Sequence, residues 1–336
     1  MKTKSLSIAC LLAGMHGMLC LCHAAEPAAK AATASPVMFN TAEADRILSG
    51  LRVFPPDNPW NEDISKLPLL PNSAAMIAAV GADKKLAYNL DMGFILVPGN
   101  QARVPVKVRL YPNESDPGPF PLPDGAPVEG WPLDGRALAV AQAAKEEGDR
   151  HVIVVDPVNR KLYEFYQGHK TDAGWECACA AVFDLTTNTL RPDGWTSTDA
   201  AGLPIFPAVI RYDEVERGMV AHAMRFTVRN TRNSYVYPAT HLASRKTDPN
   251  FPRMGERFRL RGDFNVSGFS PHMQAILKGL KKYGMFMADN GGDWRISVAP
   301  DARIKGLDEL RRLKGSDFEV VAPTGPNGGP RGKQGP

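Results

Sequence analysis

The tightest constraint on this chain is a succession of short apolar segments with a period of two, separated by turns rich in Gly and Pro. Val104, Val106, Val108 and Leu110 alternate with Pro105, Lys107, Arg109 and Tyr111, the pattern of a half-buried strand. The run His151 to Asp156 is almost wholly apolar, and Lys161 to Tyr166 follows across a Pro157-Val158-Asn159 turn, which predicts a hairpin. Trp175, Cys177, Cys179, Ala181, Phe183 and Leu185 fall on one face of a further strand, and the two cysteines read as core residues. More strands are expected at Ile205–Tyr212, Val220–Val228, Ser234–Tyr237, Phe258–Asn265, Met285–Ala288 and Arg295–Val298. Helical signals are few. Thr41 can cap a short helix carrying Ile47, Leu48 and Leu51, and Arg136 to Glu147 suits another. The clearest follows Ser270 and Pro271, with Met273, Ile276, Leu277 and Leu280 as its apolar stripe and Gly284 as its stop. Strand–helix alternation sufficient for a Rossmann or TIM-barrel fold is missing. The expected fold is therefore mainly β, an antiparallel β-sandwich of jelly-roll type with a few short helices.

Lys2 and Lys4 precede a mostly apolar stretch, Ile8 to Leu21, and Cys22-His23-Ala24-Ala25 follows with small residues suited to cleavage. This is the form of a secretory signal peptide. The expected organisation is a signal peptide over 1–25, an Ala-rich spacer over 26–40, one sandwich domain over 41–322 and a disordered tail over 323–336. Export to the periplasm or medium follows, with no membrane span. Without 1–25 the net charge of +4 (40 basic, 36 acidic) becomes +2, since only Lys2 and Lys4 are lost. A chain so near neutrality, lacking basic runs, does not suit nucleic acid.

The blocks Phe54-Pro55-Pro56-Asp57-Asn58-Pro59-Trp60-Asn61, Ala201-Gly202-Leu203-Pro204-Ile205-Phe206-Pro207, His222-Ala223-Met224-Arg225-Phe226-Thr227, Tyr235-Val236-Tyr237-Pro238-Ala239-Thr240-His241 and Ala288-Asp289-Asn290-Gly291-Gly292-Asp293-Trp294 resemble a group of uncharacterised secreted bacterial proteins. The resemblance spans residues 50–321. It implies a single secreted domain and carries no activity with it.

Chemistry is thus read from residue types. Asp199 lies in a turn before Ala200-Ala201-Gly202, Glu214 follows Tyr212 at a strand end, and Asp289 opens a glycine-rich turn. Glycoside hydrolysis needs two carboxyl groups, and these three are the candidates, with His222 and His241 as further acid–base groups. Arg225, Tyr235, Tyr237 and Trp294 are candidate sugar contacts. Arg257, Arg259 and Arg261 alternate with Phe258 and Leu260, placing three guanidinium groups on one strand face. Such a row is unfavourable without acids or an anionic ligand opposite. The expected function is an exported polysaccharide-degrading enzyme, a glycoside hydrolase first. The alternatives are a polysaccharide lyase, with histidine or tyrosine as base and Arg225 on a uronate, or a non-catalytic carbohydrate- or envelope-binding sandwich. The partner is a poly- or oligosaccharide, anionic if the arginine row binds it. Neither a His-Glu-x-x-His zinc motif nor a Gly-x-Ser-x-Gly elbow occurs, and no cofactor is expected. Calcium between Asp289 and Asp293 is the one metal considered.

Overall fold

The computed structural model describes residues 33–325 and the backbone of Pro330–Arg331. The expected leader at 1–25 lies outside them, as does most of the expected tail. The chain is mainly β. A five-stranded sheet runs in the order β1 (Val37–Met38), β3 (Ile95–Leu96), β5 (Val152–Asp156), β6 (Lys161–Tyr166) and β9 (Cys179–Asp184). A six-stranded sheet runs β15 (Phe318–Val320), β12 (Arg257–Leu260), β13 (Met285–Asn290), β10 (Met224–Val228), β14 (Arg295–Val298) and β2 (Ala87–Leu90). A three-stranded sheet joins β4 (Val106–Val108), β8 (Gly174–Cys177) and β7 (His169–Thr171), and β11 (Tyr235–Val236) pairs with β16 (Pro330–Arg331).

These sheets are mixed, where an antiparallel jelly-roll-like sandwich was expected. The pairs β3–β5, β4–β8, β10–β13 and β2–β14 are parallel. Each joins segments far apart in the chain, a pairing that local alternation does not encode. The spacer differs too, because Val37–Met38 completes the edge of the five-stranded sheet. Within the stretch expected to be a disordered tail, Pro330–Arg331 lies against β11.

The Val152–Val155 run of β5 is apolar because it is buried on both faces. Ile153 and Val155, with Leu162 on β6, enter the large core shared with the six-stranded sheet. Val152, Val154, Tyr163 and Phe165 enter a second core closed by Trp175, Cys177, Phe120 and Leu122. The predicted hairpin forms in full register from Val152↔Phe165 to Asp156↔Lys161. Asp156 Oδ1 accepts from the Val158 and Asn159 amides at 3.0 and 2.8 Å and so fastens its turn.

The helices α1 (Ala42–Gly50) and α5 (Pro271–Lys282) stand where expected. Thr41 caps α1 by accepting from the Ala44 amide at 3.2 Å. Ser270 makes no such bond for α5, its amide donating instead to Glu309 at 3.0 Å. The Arg136–Glu147 segment keeps one short helix, α3 (Leu138–Ala143). Ile205–Tyr212 is not a strand: Pro207 lies within a 3-10 turn, Phe206–Ala208, that leads toward the helix Tyr212–Glu216. Cys177 and Cys179 do not share a strand either, since the chain bends at Ala178 and carries them into different sheets. Both are buried free thiols, and burial pushes the Cys177 thiol up to about 12.

The arginine row is structural, which removes the basis for an anionic ligand there. Arg257 is 3% exposed and bonds Glu62 at 3.0 Å and the Tyr283 carbonyl at 2.8 Å. Arg259 meets Glu319, its direct cross-strand partner, at 2.6 Å, and donates to the Ile64 and Leu67 carbonyls. Arg261 pairs with Asp263 at 3.0 Å. Cross-strand and loop acids thus supply the compensation that the sequence left open. We expect Arg259→Ala to cost about 2–3 kcal/mol, because two carbonyls and a carboxylate lose a largely buried donor. The denaturation midpoint reads this, and the salt dependence of glycan binding should not change.

Candidate functional site

Asp289 is the penultimate residue of β13, and an irregularity in that strand determines where it points. Phe226 pairs with Met287 but Thr227 pairs with Asp289, so Ala288 is an extra residue in the ladder. A bulge of this kind re-aims the side chains that follow it. It also frees the Ala288 carbonyl, which accepts from the Ala201 amide at 2.9 Å. The Asp199–Gly202 turn is thereby docked beside Asp289. Gly202 belongs there because φ is +72° and a Cβ would lie 2.0 Å from Thr240 Oγ1. The Thr240 amide donates to the Ala201 carbonyl at 2.9 Å, which brings His241 to the same place.

The result is a cleft of about 190 Å³ between the two large sheets, lined by Tyr111, Asp149, Tyr166, Ser197, His241 and Asp289 among others. That is about six waters at their liquid volume, the scale of one sugar ring. Asp289 is desolvated and lies near Asp199 and Asp149, and this pushes its carboxyl up to about 7. Oδ1 accepts from the Asn290 amide at 2.6 Å, and no hydrogen bond reaches Oδ2 among the described residues. His241 donates from Nδ1 to the Ala200 carbonyl at 2.8 Å, so its neutral form carries a basic Nε2. Asp149 is exposed and makes no side-chain hydrogen bond or salt bridge among the described residues.

Asp199 lines the cleft through its turn, but its carboxylate points inward and is 0% exposed. It accepts from Arg225 Nε at 2.9 Å and Nη2 at 3.0 Å, while Nη1 donates to Ser297 at 2.7 Å. Arg225 is itself 4% exposed, so neither residue is placed to touch a ligand. Their bidentate pair holds the turn against β10 and β14.

Behind this pair lies a buried acid–base network. His151 bonds Glu129 through Nδ1 at 2.9 Å and the Thr198 carbonyl through Nε2 at 2.8 Å. Burial opposes its charge, but Glu129 outweighs burial and holds the imidazole up to about 10. Glu164 takes the Ile205 and Phe206 amides at 2.9 and 2.8 Å and the Thr198 hydroxyl at 3.1 Å. Even so, complete burial pushes it up to about 7. Asp91 reaches about 7 through burial and the nearby Glu129, and its Oδ1 has no partner among the described residues.

These shifts share one sign. Asp91, Glu164 and Asp289 bind protons in the folded state that the unfolded chain, with pKa near 4, has released. Their contribution is therefore present at low pH and is lost as pH rises toward and past 7. His151 contributes fully below its unfolded value of about 6.5 and loses this as pH approaches 10. The folded state should thus weaken steadily between about pH 5 and about pH 9. Thermal unfolding across that range reads it, and a flat or rising Tm would count against these protonation states.

The remaining sequence candidates lie elsewhere. Glu214 and His222 bond each other at 3.1 Å in a separate buried cluster with Arg211, away from the cleft. Tyr235 is buried with its hydroxyl on Asp193 at 2.9 Å, and Tyr237 does not line the cleft. Trp294 is 0% exposed, stacked against Phe226 and Phe318, with Nε1 on the Gly81 carbonyl at 3.0 Å. Asp293, the other half of the suggested calcium pair, is engaged by Lys84 and by the Arg229 amide.

Conversely, Asp149, Tyr166, His151, Glu164 and Glu129 were not singled out. The signal for Glu164 was a lone acid amid Leu162, Tyr163 and Phe165. For Asp149 it was the charged Asp149-Arg150-His151 step into an apolar strand. Glu129, Asp149 and His151 bring potential metal-ligating atoms within 4.8 Å. However, His151 spends both ring nitrogens on hydrogen bonds, and the set does not suit a metal. Comparison with family models, curated proteins and solved structures gives no match.

Proposed function

We propose that this chain is an exported glycoside hydrolase whose general acid is Asp289 and whose second carboxylate is Asp149. The observation that carries this reading is the contrast between them. Asp289 is desolvated, with a pKa near 7 that retains a proton under neutral conditions, whereas Asp149 stands exposed and unpaired at the same cleft. Two carboxyl groups in unlike environments are what glycoside cleavage divides between its acid and its base or nucleophile. Asp149 lies in the segment before β5 and Asp289 near the end of β13, and both line the cleft, so a ring bound there would meet both.

In this scheme Asp289 protonates the leaving glycosidic oxygen while Asp149 activates water or attacks the anomeric carbon. Tyr111 and Tyr166 offer ring faces to the sugar, and the exposed Asn290 offers its side-chain amide. Export rests on the leader-like residues 1–25. The lyase alternative loses support, because Arg225 is spent on Asp199 and is not placed to neutralise a uronate. Screening purified protein against a polysaccharide panel is the test. New reducing ends without unsaturated uronate support the proposal, while retention on a polymer without any cleavage favours a binding module.

A further inference from the structure

We infer that the cleft is part of a longer groove, which binds an uncharged polysaccharide chain over about four to five sugar rings. This rests on the glycoside hydrolase reading and names its substrate class. The first support is continuity. Asp149 lines both the cleft and an adjoining cavity of about 210 Å³, and Glu146, Glu147 and Arg150 line that cavity and a larger one of about 510 Å³. Three chain segments pass from the cleft to the larger cavity: Tyr111 to Arg109, Asp149 to Arg150 and Tyr166 to Gln167. Backbone bonds tie two of them together. The Gln167 amide donates to the Asp149 carbonyl at 2.7 Å, and the Gly168 amide to the Arg150 carbonyl at 3.0 Å. With one ring filling the cleft, the two further cavities hold about three to four more.

The second support is the set of polar groups that the larger cavity leaves open. Gln167 is half-buried there, and its side-chain amide makes no hydrogen bond among the described residues. That amide can both donate and accept, which suits a pair of sugar hydroxyls. His169 bonds the Ala144 carbonyl through Nδ1 at 3.1 Å, so Nδ1 donates and the neutral ring keeps Nε2 as an acceptor. Charge is balanced along the same wall. Arg109, Lys145 and Arg150 stand among Glu146, Glu147 and Glu176, and Arg109 lies 3.4 Å from Glu176. A polymer charged on every ring, of either sign, would meet like charges at some of its rings, and a neutral chain would not. Tyr111, 41% exposed with its amide held by the Ala178 carbonyl at 2.9 Å, adds a fixed ring for the C–H face of a sugar.

Calorimetry with ladders of cello-, manno-, xylo- and malto-oligosaccharides, two to eight rings long, tests the inference, with a reducing-end assay on the same ladders. In at least one ladder, affinity should rise about tenfold from two rings to five and then level off, the gain expected of two added hydrogen bonds. The backbone at Gln167 is left-handed, with φ at +52°, a conformation that asparagine adopts readily. Gln167→Asn therefore keeps the turn and withdraws the amide by one methylene. It should weaken the five-ring oligomer about three- to fivefold and leave the two-ring oligomer unchanged, as should His169→Ala. Unchanged two-ring binding also shows that the variants are folded. Equal affinity along every ladder, or variants that weaken both lengths alike, overturns the inference, and cleavage of short oligomers would then leave the hydrolase reading standing. Length-dependent binding that releases no reducing ends upholds the groove and removes the hydrolase reading. Tighter binding of a galacturonate or glucosamine ladder than of all four neutral ones overturns the uncharged class.

Discussion

Asp289→Asn should lower glycan hydrolysis by about 10²–10⁴-fold in kcat, the usual contribution of a positioned general acid, with little change in KM. The amide keeps the size of the carboxyl and can still accept from the Asn290 amide, so the bulge and the Asp199 turn should be retained. It has no proton of suitable acidity to give a leaving oxygen. In the parent protein, the proposed activity should fall as pH rises through about 7, where Asp289 loses its proton. Above that pH the variant should be no less stable than the parent, since it no longer holds a desolvated charge. Initial rates by reducing-end assay, paired with Tm, separate these effects. Full activity in Asp289→Asn would remove Asp289 from the chemistry.

The largest stability loss is expected at Arg225. Arg225→Met strands the Asp199 carboxylate, which has 0% exposure and loses both of its guanidinium bonds. Breaking a buried pair in this way costs about 3–5 kcal/mol. The variant should respond by keeping Asp199 protonated, so the loss should shrink as pH is lowered. The double variant Asp199→Asn/Arg225→Met no longer holds a buried charge and should recover at least half of the deficit. Urea denaturation of the two proteins at two pH values decides it. A single variant as stable as the parent would mean that the pair is not what anchors the turn.

Several elements were legible in the sequence because their determinants are local. The β5–β6 hairpin rests on apolar alternation and a Pro157-Val158-Asn159 turn, and α5 on its stripe and Pro271. Asp289 and His241 were legible as candidates, since both residue types recur where protons move. The arginine row misled, because its partners Glu62 and Glu319 lie far away in the chain. Trp294 misled similarly. A tryptophan beside a glycine-rich turn reads as a rim aromatic until the core closes over it.

What the sequence determined by itself was therefore a mainly β chain with identifiable segments, since side-chain alternation and turn chemistry act over a few residues. The tertiary structure decided which strands run parallel, because β10 inserts between β13 and β14 although the latter two are neighbours in the chain. It also decided which of the chain's acids come together. Asp149, Asp199 and Asp289 meet only where two sheets abut, and Glu214 is drawn to Arg211 instead. Burial and distance set the charge of a carboxyl, and both are properties of the assembled fold: an aspartate holds its proton near pH 7 only when the rest of the molecule has taken away its water.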